Sequence, residues 1–62
     1  MKTGDKVRCL FNDIDGKIHG KGRVGHIEGF ARLSKYHGRE IRVVFDTGEA
    51  GWFWETSVKL CE

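Results

Sequence analysis

The chain has 62 residues, no proline, two cysteines and one methionine, and neither charge sign dominates it. The missing proline excludes nothing by itself, but other absences do. No apolar run approaches the roughly 20 residues a membrane-spanning helix needs. The first residues, MKTGDKVRCLF, lack the apolar region of a signal peptide and enter a strand-like pattern directly. These absences predict an intact, soluble, cytoplasmic protein without a membrane partner. Eleven Lys and Arg stand against nine Asp and Glu, for a net charge of +2. A chain built mainly to coat phosphate carries a larger excess, so the balance leaves both nucleic acid and protein open as partners. The length corresponds to one domain near the lower limit of independent folding. With only 39% hydrophobic residues, each large apolar side chain matters.

Catalytic and metal-binding patterns are absent as well. There is no G-x-S-x-G and no phosphate loop. Cys9, Cys61, His19, His26 and His37 form no Cys-x-x-Cys or His-x-x-x-His pair, which argues against zinc. Asn12, Asp13 and Asp15 fall short of an EF-hand ligand series and read as a solvated turn. Cys9 sits at an inward strand position, as an inert small hydrophobe does. A cytosolic setting favours two reduced thiols. A Cys9–Cys61 disulfide would need the first and last strands to be neighbours, and would close a loop of roughly 50 residues. The sequence thus predicts no enzyme, no cofactor and no metal.

No stretch of ten residues shows helical periodicity, and nine glycines break the chain at short intervals. Period-two alternation recurs instead. Asp5 to Phe11, DKVRCLF, puts Val7, Cys9 and Phe11 on one face. Residues 12–22 read as a loop. Arg23 to Phe30 is a second strand in which a bulge at Gly25 would bring Val24 and Ile27 into register. Ala31 to Gly38 reads as one helical turn or a long loop. Arg39 to Phe45 is the clearest strand, with Ile41, Val43 and Phe45 inward. Asp46-Thr47-Gly48 makes a tight turn into GEAGWFW, with Gly48 at the left-handed position. Glu55-Thr56-Ser57 reads as a short turn, or one 3-10 turn, before a last strand from Val58 to Cys61. The expectation is an all-β chain: a single five-stranded, strongly bent antiparallel barrel over residues 1–62. Curling lets Val7, Cys9, Val24, Ile27, Ile41, Val43, Phe45 and Val58 share one core and protects the edges.

Three segments resemble the SH3-like barrel superfamily: Gly4-Asp5-Lys6-Val7-Arg8, Gly22-Arg23-Val24-Gly25-His26-Ile27, and Ile41-Arg42-Val43-Val44-Phe45-Asp46-Thr47-Gly48. The first half is similar to a KOW-type module, a resemblance that implies RNA or ribosome- and polymerase-associated partners. The second half, VVFDTGE followed by Trp52, Val58 and Leu60, resembles Tudor and agenet barrels. That resemblance implies peptide binding, in some members around a methylated lysine. Fold-level likeness does not choose between them.

Two binding surfaces follow from the residues. Lys17, Lys21 and Arg23 line the first loop and its exit, and Arg32, Lys35, Tyr36 and Arg39 line the second. Clustered at one end, they would contact the phosphates of RNA or DNA, with Tyr36 and one aromatic of Trp52, Phe53 and Trp54 stacking on bases. This nucleic-acid reading is the first expectation. The alternative is a protein-interaction module, such as a phage- or plasmid-type accessory factor. It would grip a peptide or partner enzyme through the aromatic run and the acidic residues Asp46, Glu49 and Glu55. Strand alternation decides which aromatics are available, since Trp52 and Trp54 point one way and Phe53 the other. A barrel this small has limited room for two indoles, which favours Phe53 inside and the tryptophans outside, unless a bulge at Gly51 reverses the parity. A homodimer is one way of covering what is left exposed.

Overall fold

The computed structural model describes residues 1–61. Five strands form one antiparallel sheet: β1 (Lys6–Cys9), β2 (Val24–Ser34), β3 (Gly38–Phe45), β4 (Ala50–Trp54) and β5 (Val58–Leu60). A single 3-10 turn, Glu55–Ser57, links β4 to β5. The spatial order is β4-β3-β2-β1-β5. The sheet bends enough for both outer strands to reach one core, in which Phe53 of β4 and Val58 of β5 join Val7, Cys9, Ile27, Ile41, Val43 and Phe45. This is the all-β, five-stranded architecture the alternation predicts, and it is consistent with a small SH3-like fold.

Alternation explains most of the packing. Ile41, Val43 and Phe45 take the inward positions of β3, and Gly51 and Phe53 those of β4. The Phe53 ring meets Phe45 edge-on, with centroids 6.0 Å apart at 84°. Burying such a ring contributes roughly 1.5–3 kcal/mol. The β3–β4 register runs unbroken from Glu40↔Trp54 to Val44↔Ala50, so no bulge at Gly51 intervenes and Phe53 is the aromatic that enters. The turn between these strands is the expected one. Gly48 adopts φ 88°. Its N–H donates to the Phe45 carbonyl at 2.9 Å.

Three expectations need correction. Phe11 does not continue the β1 face: the strand ends at Cys9 and Phe11 is exposed. No bulge forms at Gly25, which pairs regularly with Val7 and Phe45. The irregularities lie between Ile27 and Gly29 and between Phe30 and Leu33. Gly25 itself faces inward, where a Cβ would stand 2.6 Å from the Val44 carbonyl oxygen and 2.8 Å from a Val43 methyl. Its value is close approach, and Val24 is left half-buried on the other face. Ala31 to Gly38 is neither helix nor long loop, because β2 continues to Ser34 and a three-residue turn leads into β3.

The first loop is tied down rather than solvated throughout. The Asp13 carboxylate accepts the Ile18 N–H at 3.1 Å, and Asn12 accepts that of Lys21 at 3.2 Å. Ile18 packs against the core. The Ile14 N–H donates to the Trp52 carbonyl at 2.9 Å, covering part of the otherwise unpaired edge of β4. Cys9 and Cys61 are both free thiols. The first and last strands are indeed neighbours, but Cys9 lies opposite Val58, whereas the Cys61 N–H donates to the Lys6 carbonyl. That offset of three positions is about 10 Å along the strand. Among the described residues, no helix is long and apolar enough to cross a membrane.

Candidate functional site

With Phe53 inside, the outer face of β3–β4 belongs to the tryptophans. Trp52 lies opposite Arg42 and Trp54 opposite Glu40, and both indoles are half-buried. The Arg42 guanidinium sits 5.9 Å from the Trp52 ring centroid, and its Nε donates to Glu28 Oε1 at 2.8 Å. The His37 ring packs on Trp54 with centroids 5.0 Å apart and a 33° tilt. The result is a strip of two aromatic faces, edged by one cation and two carboxylates and capped by an imidazole. Large, stiff, amphipathic side chains of this kind anchor protein interfaces at little entropic cost.

The basic residues expected to act together are not assembled. Lys17, Lys21 and Arg23 precede β2 and Lys35 and Tyr36 follow it, with the whole eleven-residue strand between them. Among the described residues, no hydrogen bond or ion pair joins the two groups. Arg23 lies over the Phe45 ring at 4.1 Å and pairs with Glu49 at 3.0 Å. Arg39 lies over the Phe30 ring at 4.1 Å and pairs with Glu55 at 3.6 Å. With Arg42 held by Glu28, three of the five arginines have carboxylate partners. Lys17, Lys21, Arg32 and Lys35 are exposed.

The acidic residues are likewise in use. Glu49 is held below its ordinary value chiefly by the Thr47 hydroxyl, which donates at 2.8 Å, and then by Arg23. Glu55 is held down chiefly by the Arg39 backbone N–H, which donates to its Oε1 at 3.1 Å, with the guanidinium adding to the effect. Burial pushes the Cys9 thiol up to about 11, against a smaller opposing pull from Arg23. A thiol so protonated at neutral pH is no nucleophile. Among the described residues, no three His, Cys, Asp or Glu side chains are grouped closely enough to hold a metal ion.

No family model matches the chain, and no curated protein does. One solved structure is similar along its whole length: the solution structure of the cyanobacterial cytochrome b6f complex subunit PetP. The two are 33% identical, with a TM-score of 0.74, covering all of this chain and 81% of PetP. This likeness overturns the nucleic-acid expectation, because the similar protein is named as a subunit of a protein complex. The structure also shows that two of those basic residues, Arg23 and Arg39, are engaged by carboxylates and aromatic rings within the fold, while Lys17, Lys21, Arg32 and Lys35 stay exposed. What sequence reasoning missed was the pairing of Trp52 with Arg42 and of Trp54 with His37, since both depend on strand register.

Proposed function

We propose that this chain is a PetP-type subunit that docks on a cytochrome b6f complex and acts by protein–protein contact rather than catalysis. The observation that carries this reading is the likeness to PetP, 33% identical over the entire chain at a TM-score of 0.74. The sheet order supports a shared SH3-like architecture, with the KOW and Tudor likenesses reflecting the common barrel rather than a common ligand. The docking surface in this reading is the strip of Trp52, Trp54, Arg42, Glu28 and His37. Its two indoles supply apolar area, and its charges fix orientation.

The reading is tested by capturing a tagged form from detergent-solubilised membranes of the source cell, with and without nuclease. Cytochrome b6f subunits are expected in both captures, with little change as salt rises, because an aromatic-anchored contact is weakly screened. Their absence, or a capture that nuclease removes, would refute it.

A further inference from the structure

The β2–β3 hairpin outgrows the barrel. On one side, β1 pairs with β2 only at Val24, Gly25 and His26, and Gly4 and Asp5 just before it bond the backbone of Ile27. On the other, β4 pairs with β3 no further than Glu40. The outer part, residues 31–39, is a two-stranded arm with no third strand beside it. An isolated ribbon of this kind is marginal in water, yet this one is braced along its β3 side and at its turn. Glu55 accepts the Arg39 N–H and pairs with its guanidinium, and Thr56 donates to the His37 carbonyl at 3.4 Å. Ser34 Oγ accepts the N–H groups of both Tyr36 and His37 at 3.2 Å, fixing the turn.

What the arm presents is unusual for a free surface. Leu33 is 77% exposed and Tyr36 82%, the two most exposed large apolar side chains among the described residues. Arg32 and Lys35 beside them are exposed too, and neither has an ion-pair partner among the described residues. No acid occurs between Glu28 and Glu40. The arm is thus cationic and apolar at once.

We infer that this arm rests on an anionic lipid surface. The inference rests on the membrane-complex reading above and departs from the sequence expectation of no membrane partner. Leucine and lysine are under-represented among protein-interface anchors. A lipid headgroup layer accepts Leu33 and the Tyr36 ring at the acyl boundary, while Arg32 and Lys35 extend their charges to the phosphates. Docked through its tryptophan strip, the chain would touch the bilayer beside its partner complex with this arm.

The test is sedimentation of the full chain with vesicles of phosphatidylcholine alone, or mixed with roughly one third phosphatidylglycerol. The unaltered chain is expected to bind the anionic vesicles and to bind the neutral ones far more weakly. Arg32→Glu with Lys35→Glu is expected to lower anionic-vesicle binding on the order of 20-fold or more. Leu33→Ser with Tyr36→Ser, both at exposed positions, is expected to lower it about 10-fold. No binding by the unaltered chain, or binding by both variants as strong as its own, would overturn the inference. So would loss of association with the detergent-solubilised complex in the same variants, which would make the arm a protein contact. A concentration-dependent dimer that the variants abolish would make a second copy the occupant and would also overturn it. The vesicle assay contains no complex, so the two readings fail separately. Vesicle binding without association with the complex removes only the PetP-type reading, and association with the complex without vesicle binding removes only the arm.

Discussion

Replacing Phe53 by alanine should come close to unfolding the protein, whereas replacing Trp52, its neighbour in sequence, should not. Phe53 is fully buried, its ring edge-on to Phe45 and so close to Gly20 that a Cβ there would stand 2.7 Å from it. Truncation removes the transfer energy of the ring and leaves a cavity between β4 and the first loop. Together these are worth about 3–5 kcal/mol. A domain of this size has roughly 3–9 kcal/mol of stability in total, so one substitution removes most of it. Trp52 lies on the opposite parity, half-buried, with a guanidinium 5.9 Å from its ring. Trp52→Ser should therefore cost no more than about 1 kcal/mol. Urea unfolding followed by tryptophan fluorescence measures both, since each variant keeps at least one indole. Phe53→Leu provides an intermediate that stays folded, with a loss of roughly 1.5 kcal/mol. If Trp52→Ser proved as destabilising as Phe53→Ala, the parity of β4 and the site built on it would be wrong.

Other perturbations probe separate parts of the fold. Gly25→Ala should cost about 2–3 kcal/mol of stability in urea unfolding, because its Cβ would meet the Val44 carbonyl at 2.6 Å; Gly29→Ala, with nothing within 4 Å, should be near neutral. Glu55 has a folded-state value below its ordinary 4.5, so its stabilisation is present above that pH and is lost as pH falls through the folded value. Thermal unfolding of the native chain should therefore weaken on acidification below 4.5, and Glu55→Gln should be less stable at neutral pH with a flatter acid limb. Cys61 should react with iodoacetamide long before Cys9, whose buried thiol is pushed up to about 11; equal labelling rates at neutral pH, read by mass spectrometry, would contradict its burial.

The sequence was informative wherever one face of a strand is wholly buried. Ile41, Val43 and Phe45 alternate with half-buried residues, and the Asp46-Thr47-Gly48 turn follows at once, so β3 and its hairpin could be read directly. All eight core residues were legible for the same reason, Phe53 among them by the parity of β4; the one misplaced residue was Val24, because its neighbour Gly25 takes the inward position. Residues 31–33 were illegible because all three are exposed, and a strand without a buried face has no alternation to detect. The candidate site was half-visible. Alternation could separate Trp52 and Trp54 from Phe53, but Arg23 finds Glu49 across 26 residues and Arg42 finds Glu28 across 14. Contacts of that range depend on strand order and register, which local patterns do not carry. Of the positive charge that looked available for phosphate, Arg23 and Arg39 were already paired inside the fold.

The central claim is that this chain docks on a cytochrome b6f complex through the tryptophan strip. Its most direct test is co-elution of the purified chain with purified complex in detergent, comparing the unaltered protein with Trp52→Ser/Trp54→Ser. The unaltered chain should travel with the complex, and the double variant should bind at least about 30-fold more weakly while keeping its β-sheet circular dichroism. An unaltered chain that elutes alone, or a double variant that co-elutes as well as its parent, would contradict the claim.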